Sequence, residues 1–281
     1  MIRTLFLYIA FRVKLLFQGF RLTMIDDPFI TNILFFPRKS PKPMNLPPHI
    51  QTLEFKIHDS ISIGGIIYVK EKSLPTILMF HGNGEIAEDY RNFYNLFHDC
   101  NLNLAVVDYR GYGFSSGKPN FSSLIADAIP IFTKFQKWTV ENKFSPQLYV
   151  MGRSLGSICA SEIGSKNPEG LLGIIFESGF ASLHNMITRL FGYERKDITT
   201  DMLSELSNDT KMKAITKPVL VIHGTDDMII PHSEGKLIID SLINTVETRF
   251  VSISRAGHND IFSFTNEYSN GLKEFVAKIN E

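Results

Sequence analysis

Cysteine is nearly absent. Cys100 and Cys159 are the only two in 281 residues, too few for a disulfide framework or a four-cysteine zinc site, as suits a reducing compartment. Net charge is absent too, because 29 Lys and Arg are balanced by 29 Asp and Glu. That argues against a nucleic-acid partner held by an overall basic surface. No apolar run approaches the ~20 uninterrupted residues that a simple spanning helix requires. What is present points to a large core: 44% hydrophobic residues, 23 Phe among them, against 21% charged. A chain of this length can bury roughly three quarters of its unfolded surface, and it carries too much charge for a multi-span membrane protein.

Residues 1–24 are apolar but interrupted by Arg3, Arg12, Lys14 and Arg21. At 100° per residue, Arg3, Lys14, Gln18 and Arg21 share one stripe while Leu5, Ile9, Leu16 and Phe20 lie elsewhere. This is the pattern of a helix lying in a membrane surface, although Arg12 breaks it. A helix packed on the following domain is the competing reading. Arg12 and Lys14 follow a short apolar run with no small-residue cleavage site, unlike a secretory signal, while the lack of acids before Asp26 leaves an organelle-targeting peptide open. The expected location is cytoplasmic, with peripheral membrane contact through residues 1–24 as one outcome. Residues 25–50 read as a linker, because FPRKSPKPMNLPP at 36–48 is dense in proline, which removes backbone donors. No repeat or low-complexity tract follows it.

The remaining residues, 51–281, read as one domain. Runs at 51–58 and 61–70 suggest an antiparallel hairpin, and those at 76–81, 102–108, 147–151, 171–177, 218–223 and 247–254 suggest successive strands. Helical patterns lie between most of them. ILMF, LAVV and VLVI are apolar on both faces, which suits strands covered by helices on both sides. The expected architecture is a mostly parallel, eight-stranded doubly wound α/β sheet, with a short helical insertion at 181–217.

Ligands of such a sheet gather beyond the carboxyl ends of its strands. There the chain turns polar, as HGNGE (81–85), DYRGYG (108–113), GRSLG (152–156), ESGF (177–180), HGTDD (223–227) and AGHND (256–260). GRSLG and Gly113-Phe-Ser115-Ser-Gly117, which continues from the second stretch, both fit the G-x-S-x-G pattern of a reactive serine, which needs a strand directly before it and a helix directly after. Ser154 meets both demands. Ser115 sits in a glycine-rich stretch with Pro119 close behind, so it reads as a loop serine. Gly111-Tyr-Gly113-Phe lacks the last small residue of a dinucleotide motif, and Gly117-Lys118 lacks the spacing of a phosphate loop.

A serine hydroxyl needs an imidazole to take its proton and a carboxylate to orient that imidazole. His258 follows the last strand and fits the chain order of such a triad. His81 and His223 end strands before glycines and read as packed, backbone-bonded rings, and the other histidines as exposed or structural. Asp226, Asp227 and Glu177 all follow strands as candidate acids, and composition does not separate the two aspartates. The backbone amides of Leu155 and Asn83 are the candidate oxyanion hole, with Glu85 also favouring a helix N-terminus.

Taken together, these motifs resemble an α/β-hydrolase-fold serine hydrolase over roughly 50–281, in the branch of membrane-anchored hydrolases and protein depalmitoylases. The resemblance implies that Asp227 is the acid and His258 the base. The N-terminal cysteine cluster of the depalmitoylases is absent here, and 33–38 is closer to relatives with a hydrophobic anchor followed by a Phe-Pro segment. From the edge of the insertion onward, Phe180, Leu183, Met186, Ile187, Leu190 and Phe191 predict one apolar helix face. Core packing is its usual meaning, but Phe180, Leu183 and Ile187 are also candidate walls of an acyl pocket. The expected reaction is hydrolysis of a small-molecule or lipid-like carboxylic ester or thioester through an acyl-enzyme on Ser154, with no metal or organic cofactor required. Peptidase or lipase chemistry would use the same three residues, and a non-catalytic binding protein would keep the fold alone.

Overall fold

A computed structural model describes residues 25–192 and 199–279, so the expectations for residues 1–24 lie outside the described residues. Eight strands form one sheet: β1 (Ile50–His58), β2 (Ile61–Tyr68), β3 (Thr76–Phe80), β4 (Asn103–Val107), β5 (Leu148–Arg153), β6 (Leu171–Glu177), β7 (Val219–Gly224) and β8 (Thr248–Ile253). Their order is β1-β2-β4-β3-β5-β6-β7-β8. β1 and β2 pair antiparallel and β2 joins β4 antiparallel, after which every pairing is parallel.

Both faces of the central strands are dry. Leu78, Phe80, Val150, Phe176 and Val221 point to one side, where helices Phe121–Glu141 and Ser157–Lys166 pack. Ile77, Met79, Tyr149, Met151, Ile175 and Ile222 point to the other, against helices Tyr94–His98 and Thr265–Ile279. This alternation is the period-two pleat read on strands that have no solvent face. The register then decides where function sits. Phe80 lies opposite Gly152, Arg153 opposite Glu177 and Glu177 opposite Ile222, so the polar ends of β3, β5, β6 and β7 finish side by side.

The segment expected as a linker is instead strapped to the domain. Helix Pro28–Leu34 falls inside it, and Ile25, Ile30, Leu34 and Phe35 are buried in the main core. The proline-dense stretch has no helix, as expected, but Lys39 forms a parallel bridge with Gly113, and Arg38 pairs with Asp89 at 2.6 Å. Proline density signals missing regular structure, and it does not signal missing contacts. Among the described residues no helix is long and apolar enough to cross a membrane.

Candidate active site

The site is built outward from the end of β5. Ser154 follows Arg153 directly with φ at +51°, a left-handed conformation that costs a non-glycine residue energy. Its flanking glycines make this turn sterically feasible. A Cβ on Gly156 would stand 2.0 Å from the Phe80 carbonyl oxygen, and one on Gly152 would stand 2.4 Å from the Gly156 oxygen. Helix Ser157–Lys166 starts at once behind the turn.

Across the cleft, Ser154 Oγ lies 3.0 Å from His258 Nε2, and His258 Nδ1 lies 2.7 Å from Asp227 Oδ2. The other Asp227 oxygen accepts the Ile229 and Ile230 amides at 2.9 and 2.8 Å. His223 Nε2 stands 3.5 Å from Oδ2 and 2.9 Å from the Ile230 carbonyl. Burial works to raise the Asp227 carboxyl, but hydrogen bonds from the His223 and His258 rings outweigh it and hold the group well below the usual range. Since Asp227 is ionised, the His258 nitrogen facing it must carry the proton. That leaves the Nε2 lone pair free to accept from the serine.

The competing residues fall elsewhere. Asp226 is exposed and accepts from its neighbour Thr225. Ser115 is buried as a structural hydroxyl, accepting from the Gly64 amide at 2.8 Å and donating to the Asp108 carbonyl at 3.1 Å. His81 bonds the Gly82 carbonyl through Nδ1 at 2.8 Å. Glu177 belongs to a buried ion cluster that the sequence reading missed.

Arg153 is the hub of that cluster. Its Nη1 pairs with Glu177, its Nε donates to Glu85 at 2.8 Å, and its Nη2 donates to the His258 carbonyl at 3.0 Å. Glu85 in turn accepts the Gly82 amide at 2.9 Å and the Tyr90 hydroxyl at 2.7 Å, and Tyr268 donates to Glu177 at 3.2 Å. One guanidinium therefore ties the serine turn to the HGNGE loop and to the histidine loop. A signal was present: Arg153 and Glu177 are charges at the tips of otherwise apolar strands. Burial raises Glu177 above the ordinary carboxyl range despite the Arg153 charge. At Glu85 the same burial is outweighed by Arg153 and Tyr90, and the group is lowered to about 2. Unfolded, Glu85 would titrate near 4.3, so between these values the folded chain binds fewer protons. Its stabilising contribution is full above that unfolded value and is lost as pH falls towards 2. Urea titrations at pH 6 and pH 3 should show Glu85→Gln losing less stability on acidification than the parent, and equal losses would contradict this.

A cavity of about 290 Å³ opens on Ser154. Asn83, Leu155 and Phe180 line it, as the sequence suggested for the last of these. Leu183 and Ile187 do not; they are buried in the core beneath helix Leu183–Phe191. A 100° step turns their shared face to the core and presents Asn185, Met186, Arg189 and Leu190 to the cavity instead. Asn83 has a second task, since its side chain bonds the Leu34 carbonyl at 2.7 Å and the Phe36 amide at 3.0 Å, fastening the N-terminal strap beside the site. Among the described residues, no group of three or more His, Cys, Asp or Glu side chains is placed to hold a metal ion.

A mostly parallel eight-stranded sheet, with a serine on a strained turn after β5 and a histidine bonded to it from beyond β8, defines an enzyme of the α/β-hydrolase fold. More narrowly, the chain belongs to the serine aminopeptidase, S33, family, whose profile matches residues 71–212, just over half of its length. It is 27% identical to protein bem46 of Schizosaccharomyces pombe over 247 residues, covering 85% of this chain and 80% of that protein. It is 31% identical to α/β-hydrolase domain-containing protein 17B of Homo sapiens over 206 residues, 72% of this chain and 66% of the relative. Among solved structures, an esterase of Pyrococcus furiosus superposes with a TM-score of 0.67 at 20% identity, covering 86% of this chain and 99% of that one. Est1E of Butyrivibrio proteoclasticus with ferulic acid bound gives 0.66 at 16%, covering 81% and 99%. At these identities the two structures share the fold alone.

Proposed function

We propose that the chain hydrolyses a carboxylic ester or thioester through an acyl-enzyme on Ser154. The carrying observation is the continuous Ser154–His258–Asp227 arrangement, with contacts of 3.0 and 2.7 Å. Ser154 Oγ attacks the acyl carbon as its proton passes to His258 Nε2. The imidazolium, oriented by Asp227, then gives that proton to the departing alkoxide or thiolate. Water repeats the sequence on the acyl-serine, yielding the carboxylic acid and free Ser154. The amides of Leu155 and Asn83 are assigned to the transient oxyanion, because both residues border the cavity at Ser154. The cavity walls, with Leu34, Phe180, Met186 and Ile230, suit an acyl chain.

Removal of an N-terminal amino acid, which the family description suggests, would need a free carboxylate to hold the substrate ammonium. Of the described residues lining the cavity, Glu234 is the only acid, and both its oxygens already accept hydrogen bonds. This favours ester over aminopeptide substrates. A fluorophosphonate probe should label the parent protein and leave Ser154→Ala unlabelled. An unlabelled parent would instead support a non-catalytic role.

Peripheral membrane contact through residues 1–24 is proposed from their cationic stripe. The full chain should sediment with anionic liposomes more than a chain lacking these residues, and equal partitioning would remove the proposal.

A further inference from the structure

We propose that Arg189 is a specificity-determining residue that recognises an anionic oxygen group, a carboxylate or phosphate, carried on the acyl substrate; this rests on the serine-hydrolase reading above. Among the described residues, two charged side chains reach the otherwise largely apolar cavity wall, Glu234 and Arg189. They are not equivalent. Glu234 is buried, and its Oε2 accepts the Ala181 and Ser182 amides at 2.9 and 3.2 Å while its Oε1 accepts Asn185 Nδ2 at 2.9 Å. Its charge is therefore committed to the N-terminal turn of helix Leu183–Phe191, where a carboxylate suits the helix dipole.

Arg189 lies on the same helix, ~9 Å beyond Leu183 at 1.5 Å per residue. It is exposed, and among the described residues no acidic side chain pairs with it. A cation in a last helical turn also suits the dipole, but that role sets no requirement on what the side chain borders. Here Asn185 and Arg189 line both the cavity that opens on Ser154 and an open, more polar groove shared with Thr188. An ester whose apolar part fills the cavity thus has its polar end led past a guanidinium with no acidic partner among the described residues. That planar fork of N–H donors matches a carboxylate or phosphate better than a neutral group. Because the contact is exposed to water, its effect is moderate and salt-dependent.

The test compares three activated esters on the full chain. One is 4-nitrophenyl octanoate, which is neutral. The second is 3-carboxy-4-nitrophenyl octanoate, with the anion on the leaving group. The third is the mono-4-nitrophenyl ester of octanedioic acid, with the anion at the acyl end. The expected result is a KM about five-fold lower for one of the anionic esters than for the neutral one, and the ester that gains identifies the side Arg189 reads. In Arg189→Gln the ratio of neutral to anionic KM should fall to about one, in Arg189→Lys part of it should return, and added salt should erode it in the parent. Turnover of all three esters with no preference, or a preference that survives Arg189→Gln, overturns the inference while leaving the Ser154 mechanism in place. No turnover of any ester, together with no fluorophosphonate labelling, overturns both.

Discussion

Ser154→Ala is expected to lower kcat on any accepted ester by on the order of 10⁶-fold while leaving the fold unchanged. In the proposed mechanism the size of the effect comes from removing the atom that would form the acyl bond. The intact fold follows from local chemistry, because alanine keeps the Cβ that already occupies the +51° conformation and, among the described residues, the lost hydroxyl bonds only the His258 ring. Asp227→Asn should cost less, about 10⁴-fold. Its amide can still accept from Ile229 and Ile230, but an amide facing His258 Nδ1 favours the wrong tautomer. Stopped-time assays on an activated ester, with circular dichroism as the control for folding, separate these outcomes. Ser154→Ala activity within ten-fold of the parent would remove the acyl-enzyme mechanism.

Arg153→Met should be the most destabilising single change around the site, by about 3–5 kcal/mol, because it leaves partnered buried carboxylates without their cation. Glu177 is completely buried and Arg153 nearly so, while Glu85 is partly exposed, so most of the cost arises at Glu177. The Arg153 stack on Phe262, with 5.3 Å between guanidinium carbon and ring centroid, is lost as well. At roughly 2–4 °C per kcal/mol for a domain of this size, Tm should fall by about 10 °C. Adding Glu177→Gln should recover part of the loss, since the uncompensated charge then disappears. Activity should drop beyond what the unfolded fraction explains, because the His258 carbonyl and the Gly82 loop lose their shared anchor. Urea unfolding of the single and double variants gives the stability term. A loss below about 1 kcal/mol would mean that Arg153 is not the hub.

How much of this was legible depended on the length scale of the signal. The eight strands were readable because each is a short apolar run, and Ser154 could be told from Ser115 because a strand directly before and a helix directly after are local features. His258 and the packed roles of His81 and His223 followed from similar positions. The two adjacent aspartates looked alike in composition; in the structure the Ile229 and Ile230 amides draw in Asp227 and leave Asp226 exposed. Leu183 and Ile187 were placed on the correct helix, but periodicity gives a face without saying what that face meets.

Strand identity, the polar residues at the strand ends and the strained serine turn were determined by the sequence alone, because each depends on residues within a few positions of one another. Only the tertiary structure decided that Arg153 joins three loops, that Leu34 and Asn83 bring the N-terminal strap to the cavity, and that Arg189 stands at its edge with no acidic partner among the described residues. These contacts span 49 to 105 positions along the chain for Leu34–Asn83, Glu85–Arg153 and Arg153–His258. They exist because parallel pairing of strands distant in sequence lines up their carboxyl ends, and pairing between distant segments leaves little trace in either segment's own pattern.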